Sequence, residues 1–221
     1  MKLKSIIKII FIGFFAVDLC SCAFGTREIY LYYPPQKTYD SGIAYDSENL
    51  RSKVILLTQI QNKRSKTKSS IFDNFTTDKE IIGHVRDGYF IKTANVVTNK
   101  NIEQWVYNAI AFELKNNGYQ VLENSAQASD SEPDYILRGD TRKVYVDSFF
   151  NYTGKVKLHI VVADFRSQKI LIDKVYEGKQ KKLNLEASTE GFENVLEAAL
   201  SKAIKKVIKD IRGLPFRTIS Q

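Results

Sequence analysis

Two thiols, Cys20 and Cys22, stand at the end of an apolar run, and no cysteine follows them. The folded part of the chain therefore has neither a disulfide nor a thiolate metal site, and Cys22 has no competing structural use. Lys63, Arg64, Lys66 and Lys68 place four positive charges in one short polar stretch between Gln61 and Ser70. Such a run suits contact with anionic head groups or phosphates, and equally a plainly solvated loop. His84 and His159 have no second ligand at metal spacing, so neither is assigned a role. Asp130, Glu132 and Asp134 could gather around a cation but lack the glycine and the distal glutamate of a calcium loop. The chain has no Gly-x-Ser-x-Gly elbow, no phosphate-cradling glycine run and no His–Glu pairing. The expectation is a protein without catalytic residues, metal or cofactor, with a hydrolase as the minor alternative.

The first of these sets is a targeting signal. Lys2, Lys4 and Lys8 lead into an apolar run, Ile6 to Val17. At about a dozen residues it is too short for the ~20 that a spanning helix needs, and it reads as a signal peptide. The closing residues Leu19-Cys20-Ser21-Cys22 resemble a bacterial lipobox. The resemblance implies that Cys22 is acylated on sulfur, that the chain is cut between Ser21 and Cys22, and that Cys22 becomes the lipidated first residue. Cys20 fits less well, because Asp18 and Leu19 precede it where small residues are wanted. An ordinary signal peptide and an uncleaved anchor are the alternatives. At about 0.8 kcal/mol per buried methylene, several acyl chains make desorption negligible. Lys2, Lys4, Lys8 and Asp18 leave with the signal, so the formal charge of +8 falls by two. A moderately basic domain remains, suited to anionic surfaces in general and too dispersed in charge to single out nucleic acid.

Behind the signal, residues 22–51 are rich in Tyr, Pro, Ser and Gly and read as a lipidated tether. Within it, Ile29 to Tyr33 is an apolar-aromatic patch stopped by Pro34-Pro35, either a docking segment or an edge strand folded back on its own domain. The domain spans 52–213, and 214–221 is a tail. Val54 to Ile60 is a continuous apolar run of strand length, as for a strand covered on both faces. Glu80–Val85 and Tyr89–Val97 form a hairpin around Asp87-Gly88. Helical spacing then takes over: Ile102, Trp105, Val106, Ala109, Ile110 and Leu114 follow an N-cap at Asn99 or Asn101 and end at Asn117-Gly118. Tyr119–Leu122 is a short strand, and Tyr135–Asp147, Tyr152–Arg166 and Gln168–Lys179 make an antiparallel meander. A last helix starts at Ser188-Thr189, buries Phe192, Val195, Leu196, Ala199, Ala203, Val207 and Ile211, and stops at Gly213 and Pro215. Its opposite side carries Lys202, Lys205, Lys206 and Lys209. The expected fold is a single α/β domain, a mixed and largely antiparallel sheet with two amphipathic helices.

The order of lipobox, tether, core strand, Asn62-Lys63-Arg64, Ile82-Gly83, the Asn99–Val121 helix and strand, Tyr135–Gly139, meander and terminal helix resembles the YajG-type bacterial lipoproteins. The likeness runs from about residue 15 to residue 212, with Asn62 where that family tends to have Asp before x-Arg. It implies a membrane-anchored periplasmic domain and carries over no catalytic residue. The expected function is a non-catalytic binding or accessory module for an envelope protein complex. Its partners would be the membrane, through acylated Cys22, and an envelope protein. The alternative is binding of anionic lipid or glycan through the basic loop 63–68. Ala23 stands where an aspartate would resemble an inner-membrane retention signal, which points to the outer membrane, facing the periplasm.

Overall fold

The structure, a computed structural model, describes residues 25–33, 53–65, 79–123, 132–183 and 188–215. Among the described residues, eight strands and two helices make one α/β domain. They are β1 (Gly25–Glu28), β2 (Val54–Asn62), β3 (Glu80–Arg86), β4 (Lys92–Thr98), α1 (Ile102–Asn116), β5 (Gln120–Leu122), β6 (Tyr135–Ser148), β7 (Asn151–Asp164), β8 (Ile170–Leu183) and α2 (Thr189–Arg212).

Both helices begin and end where their caps dictate. The Asn101 side chain accepts the Gln104 amide at the start of α1, and Ser188 accepts the Gly191 amide at the start of α2. After α1, Gly118 takes φ +80°, a conformation that costs glycine nothing and turns the chain into β5. The buried stripe of α2 runs from Phe192 through Leu196, Ala199 and Ala203 to Ile211, and α1 buries Trp105, Val106, Ile110 and Leu114.

Strand β6 is the spine of the sheet. Along one edge it pairs antiparallel with β7 over its whole length, and β7 pairs antiparallel with β8. Its other edge is divided. The first half pairs parallel with β2, Ile55 opposite Tyr135 and Asn62 opposite Thr141, and the last residues pair parallel with β3, Gly83 opposite Val146. The sheet thus forks: β5 flanks β2, while β4 and then β1 flank β3. Alternate residues of the meander, Val156, Leu158, Ile160 and Val162, point into the core under the helices. Among the described residues no helix covers the other face of β6–β7–β8. For the same reason β2 is buried on one side only, at Ile55, Leu57 and Ile60, with Leu56 and Thr58 half-buried, where the apolar run led to an expectation of two covered faces.

Two further features bear on how the chain enters and turns. First, the aromatic patch 29–33 folds back on its own domain, the second of the two readings the sequence allowed. β1 adds parallel to β4, Ile29 donates to the Val97 carbonyl at 2.9 Å, and Ile29 and Leu31 are buried. Beyond them the Trp105 indole donates to the Tyr32 carbonyl at 3.0 Å, the Tyr30 amide donates to Glu193 at 2.9 Å, and the Tyr33 ring packs edge-on against Phe112. Only Ala23 and Phe24 separate Cys22 from β1. Second, Tyr89, Phe90 and Ile91 lie in the β3–β4 turn rather than in β4. Asp87 Oδ1 accepts the amides of both Tyr89 and Ile91 at 2.9 Å, and Phe90 sits at φ +64°. A side chain in that region costs about 1 kcal/mol relative to glycine.

Where the 29–33 segment crosses α2, Glu197 is held up at a pKa of about 7 by burial and then by the charge of Glu193. Its folded pKa lies above the unfolded one, so the stability it confers is complete below the ordinary glutamate range and is lost as pH rises through 7. Glu197→Gln is expected to raise stability at pH 8 by about 1 kcal/mol, after allowing for the solvent that reaches the group, and to change nothing near pH 4. Chemical denaturation at the two pH values measures the difference, and equal gains at both would contradict it.

Candidate functional site

Of the residues singled out from the sequence, Ser21, Cys22, Lys66 and Lys68 lie outside the described residues. The two described members of the basic loop are engaged. The Arg64 guanidinium donates to Asn62 Oδ1 at 3.0 Å and pairs with Glu80, and its side chain is mostly buried. Burial pulls its pKa down, against the opposing pull of Glu80. Lys63 is more exposed and stands 3.7 Å from Asp140. The acidic residues do not converge. Asp134 accepts the Val54 amide at 2.8 Å, Glu132 pairs with Arg166, and Asp130 lies outside the described residues. Among the described residues no group of three His, Cys, Asp or Glu side chains could hold a metal ion.

The structure assembles a different constellation on the helix-free face of the meander. Asp140 on β6 lies directly opposite His159 on β7. Nδ1 of His159 is 2.9 Å from Asp140 Oδ2, and its Nε2 is 2.7 Å from Asp173 Oδ1 on β8. The second oxygen of Asp140 accepts Arg142 Nε at 2.9 Å, and Lys63 approaches from the end of β2. Hydrogen bonds to Asp140 and then to Asp173 raise the His159 pKa, while burial opposes them. Burial pushes the Asp140 carboxyl upward, but the bonds from His159 and Arg142 and their charges outweigh it and hold the pKa below the ordinary range. Both ring nitrogens of His159 are thus engaged by carboxylates, one on each neighbouring strand, in an ionic lattice.

The lattice continues across the same face. Register aligns Lys143 with Lys157 and Glu177, and Tyr145 with Lys155 and Lys179. Glu177 bridges Lys155 at 2.8 Å and Lys157 at 3.0 Å, and Arg86 reaches Asp147 at 3.0 Å from β3. Lys143 lies over the Tyr145 ring, 5.1 Å from its centroid. Next to Tyr145, edge-on to its ring, His84 is 1% exposed. Burial depresses its pKa, so it packs as a neutral ring. The face is a basic surface whose charged side chains are held largely in pairs.

The outer edge of the meander is partly closed. Lys206 on α2 donates to the Glu177 carbonyl at 2.7 Å, and Lys202 to Gln180 Oε1 at 2.7 Å and to the Lys179 carbonyl at 3.5 Å. Glu177, Gly178, Lys179, Lys202, Lys205 and Lys206 line an open groove of about 420 Å³ beside β8. Lysines on an exposed strand edge discourage pairing with another strand. A second groove, about 450 Å³, runs between β2 and the start of α1, lined by Leu56, Thr58, Asn101, Gln104, Tyr107 and Glu123.

No family model matches this sequence, and no curated protein does. Among solved structures the chain is similar to a DUF330-family protein from Xanthomonas campestris, at 12% identity, over 84% of this chain and 91% of that one, with a TM-score of 0.48. It is also similar to the subunit of the PelC dodecamer from Paraburkholderia phytofirmans, at 10% identity, over 70% and 90%, with a TM-score of 0.40. Lipoprotein GNA1162 from Neisseria meningitidis aligns at 10% identity, over 73% and 99%, with a TM-score of 0.38. The neighbours thus include a DUF330 protein and a lipoprotein, and at this looseness no residue role, ligand or assembly is carried over from them.

Proposed function

We propose that the protein is a lipid-anchored lipoprotein of the bacterial cell envelope, held through acylated Cys22. In this reading it is a non-catalytic module that docks on an envelope protein partner, of the kind the YajG-type resemblance implies, at the outer membrane facing the periplasm. The observation that carries it is the entry of the chain into the fold. β1 begins at Gly25, three residues after the lipobox cysteine, so an anchor at Cys22 would lie within about 10 Å of the sheet, at ~3.3–3.6 Å per residue. A domain held so closely would keep a fixed aspect toward the bilayer, with the ionic face of β6–β7–β8 presented sideways to a partner. Among the described residues no helix is long and apolar enough to cross a membrane, and the engaged ring nitrogens of His159 favour recognition over catalysis.

The test is metabolic acyl labelling with crosslinking and pull-down from intact cells, comparing the native chain with Cys22→Ser. The expected result is a label and a crosslinked envelope protein with the native chain, both lost with Cys22→Ser. A native chain without label, or a soluble fraction holding all of it, would overturn the anchor. Steep loss of membrane binding on neutralising Lys63, Arg64, Lys66 and Lys68 together would instead favour the anionic lipid or glycan contact.

A further inference from the structure

We propose that the end of the sheet bearing Tyr89, Phe90, Ile91, Phe149, Phe150 and Leu183 seats in the head-group region of an anionic phospholipid bilayer, the membrane that holds Cys22. The inference rests on the lipid-anchor reading for which membrane is meant, and on the structure for which end meets it. Three connections bring these side chains together. The β3–β4 turn holds Tyr89 at 87% and Phe90 at 63% exposure. The β6–β7 turn holds Phe150 at 68%, and Leu183 ends β8 opposite Asn151. Phe90 stacks on Phe149 with ring centroids 4.3 Å apart, and Phe149 touches Phe150 at 4.1 Å, so the two turns present one aromatic surface.

Such a surface has no counterpart in the core. The capture of the Tyr89 and Ile91 amides by Asp87 directs three consecutive large apolar residues to solvent, with Phe90 in the left-handed region where glycine or asparagine would be more comfortable. A tyrosine such as Tyr89 is at home at the level of lipid head groups, its ring buried and its hydroxyl wet, and phenylalanines and leucines beside it bury at the head-group–acyl boundary. Lys92, Lys181 and Lys182 flank the cluster, the last two exposed, as an anionic surface requires.

The topology fixes the direction. β1 runs parallel to β4, with Gly25 opposite Ala94, so the chain enters the sheet at the end where β4 leaves the Tyr89–Ile91 turn. Cys22 lies three residues before Gly25. An acyl chain there and the aromatic cluster therefore reach for the same side, and the β7–β8 turn around Lys169 points to the opposite one. A protein partner burying these aromatics would have to fit into the roughly 10 Å that the three residues from Cys22 to Gly25 can span.

The experiment uses the full chain, processed in cells, purified in detergent and reconstituted into phosphatidylcholine–phosphatidylglycerol vesicles with lipids brominated near the head-group end of the acyl chain. Single tryptophans are introduced as Tyr89→Trp, Phe150→Trp and, at the far end, Lys169→Trp. The native Trp105 is buried and supplies the background to subtract. Tyr89→Trp and Phe150→Trp are expected to lose about half their emission or more, and Lys169→Trp to lose none. Unquenched Tyr89→Trp and Phe150→Trp in chains that float with the vesicles would overturn the proposal and leave the anchor standing. Equal quenching at Lys169 would also overturn it. Quenching at Tyr89 in a chain that mass spectrometry shows to be unacylated would retain the membrane-facing end and remove the anchor, and a chain that neither floats nor quenches would overturn both.

Discussion

Gly178→Ala is expected to lower the free energy of unfolding by about 3–5 kcal/mol, a large share of the ~5–15 kcal/mol of a typical domain. A Cβ at this position in β8 would stand 1.8 Å from the Ala199 carbonyl oxygen and 2.9 Å from the Ala203 nitrogen, both backbone atoms of α2. Neither can turn aside as a side chain could. Gly154 on β7 meets the same helix in the same way, its Cβ 2.4 Å from the Val195 carbonyl oxygen. The two glycines, with Ala199 and Ala203 facing them, let α2 lie close enough to bury Val195, Leu196 and Leu200 completely. A methyl group at 178 would lift the helix and reopen that packing, which is the overpacking cost at its most rigid. Gly88→Ala is the control. Its Cβ would meet nothing within 4 Å, and urea denaturation should place it within about 0.5 kcal/mol of the native chain.

Much of this arrangement could be read from local sequence, because its signals are local. Asn101, Asn117-Gly118 and Ser188 are caps that act within a few residues, and the period change at Ile102 marks a helix whatever packs on it. The meander followed from alternation, and its connections fell within a few residues of those expected. What escaped depends on pairing between distant segments. Nothing near Gly25 announces that β1 will lie along β4, and a stretch rich in Tyr and Pro reads naturally as a tether. The Tyr89–Ile91 triplet has strong strand propensity, but the Asp87 carboxylate takes its amides out of the ladder. The divided edge of β6, shared by β2 and β3, has no local signature at all.

The ionic lattice was hidden for a sharper reason. Counting back from the β6–β7 turn without interruption, Asp140 would oppose Ile160 and fall on the core face. A bulge between Thr141 and Lys143 shifts the register by one residue and sets Asp140 against His159. His159 therefore appeared from its own strand only as one polar residue in an alternating run. The basic loop was the opposite case. Its charges were conspicuous in sequence, yet Arg64 turns inward to Asn62 and Glu80, and Lys63 leans on the lattice.

Asp140→Asn is expected to cost about 2 kcal/mol near pH 6, because one substitution removes the negative charge shared by His159, Arg142 and the nearby Lys63 and turns one of the two acceptor oxygens into a donor. The figure stays below that for a fully buried pair because Arg142 and Lys63 remain partly solvated once released. The pH dependence carries the sign of both partners. Asp140 has a depressed folded pKa, so its contribution is present above the ordinary aspartate range and lost as pH falls through the folded value. His159 has a raised folded pKa, so its contribution is complete below the ordinary histidine range and lost as pH rises through the folded value. The penalty should therefore be greatest between about pH 4 and 6.5 and shrink toward pH 9. Two-dimensional NMR of the imidazole should show the His159 pKa fall in Asp140→Asn, leaving Asp173 as its carboxylate partner. Asp173→Asn, at the exposed end of the same ring, should cost less than about 1 kcal/mol. If both variants proved equally mild at every pH, the lattice would be a set of independent surface pairs, and the order of the β6–β7–β8 face would rest on backbone pairing alone.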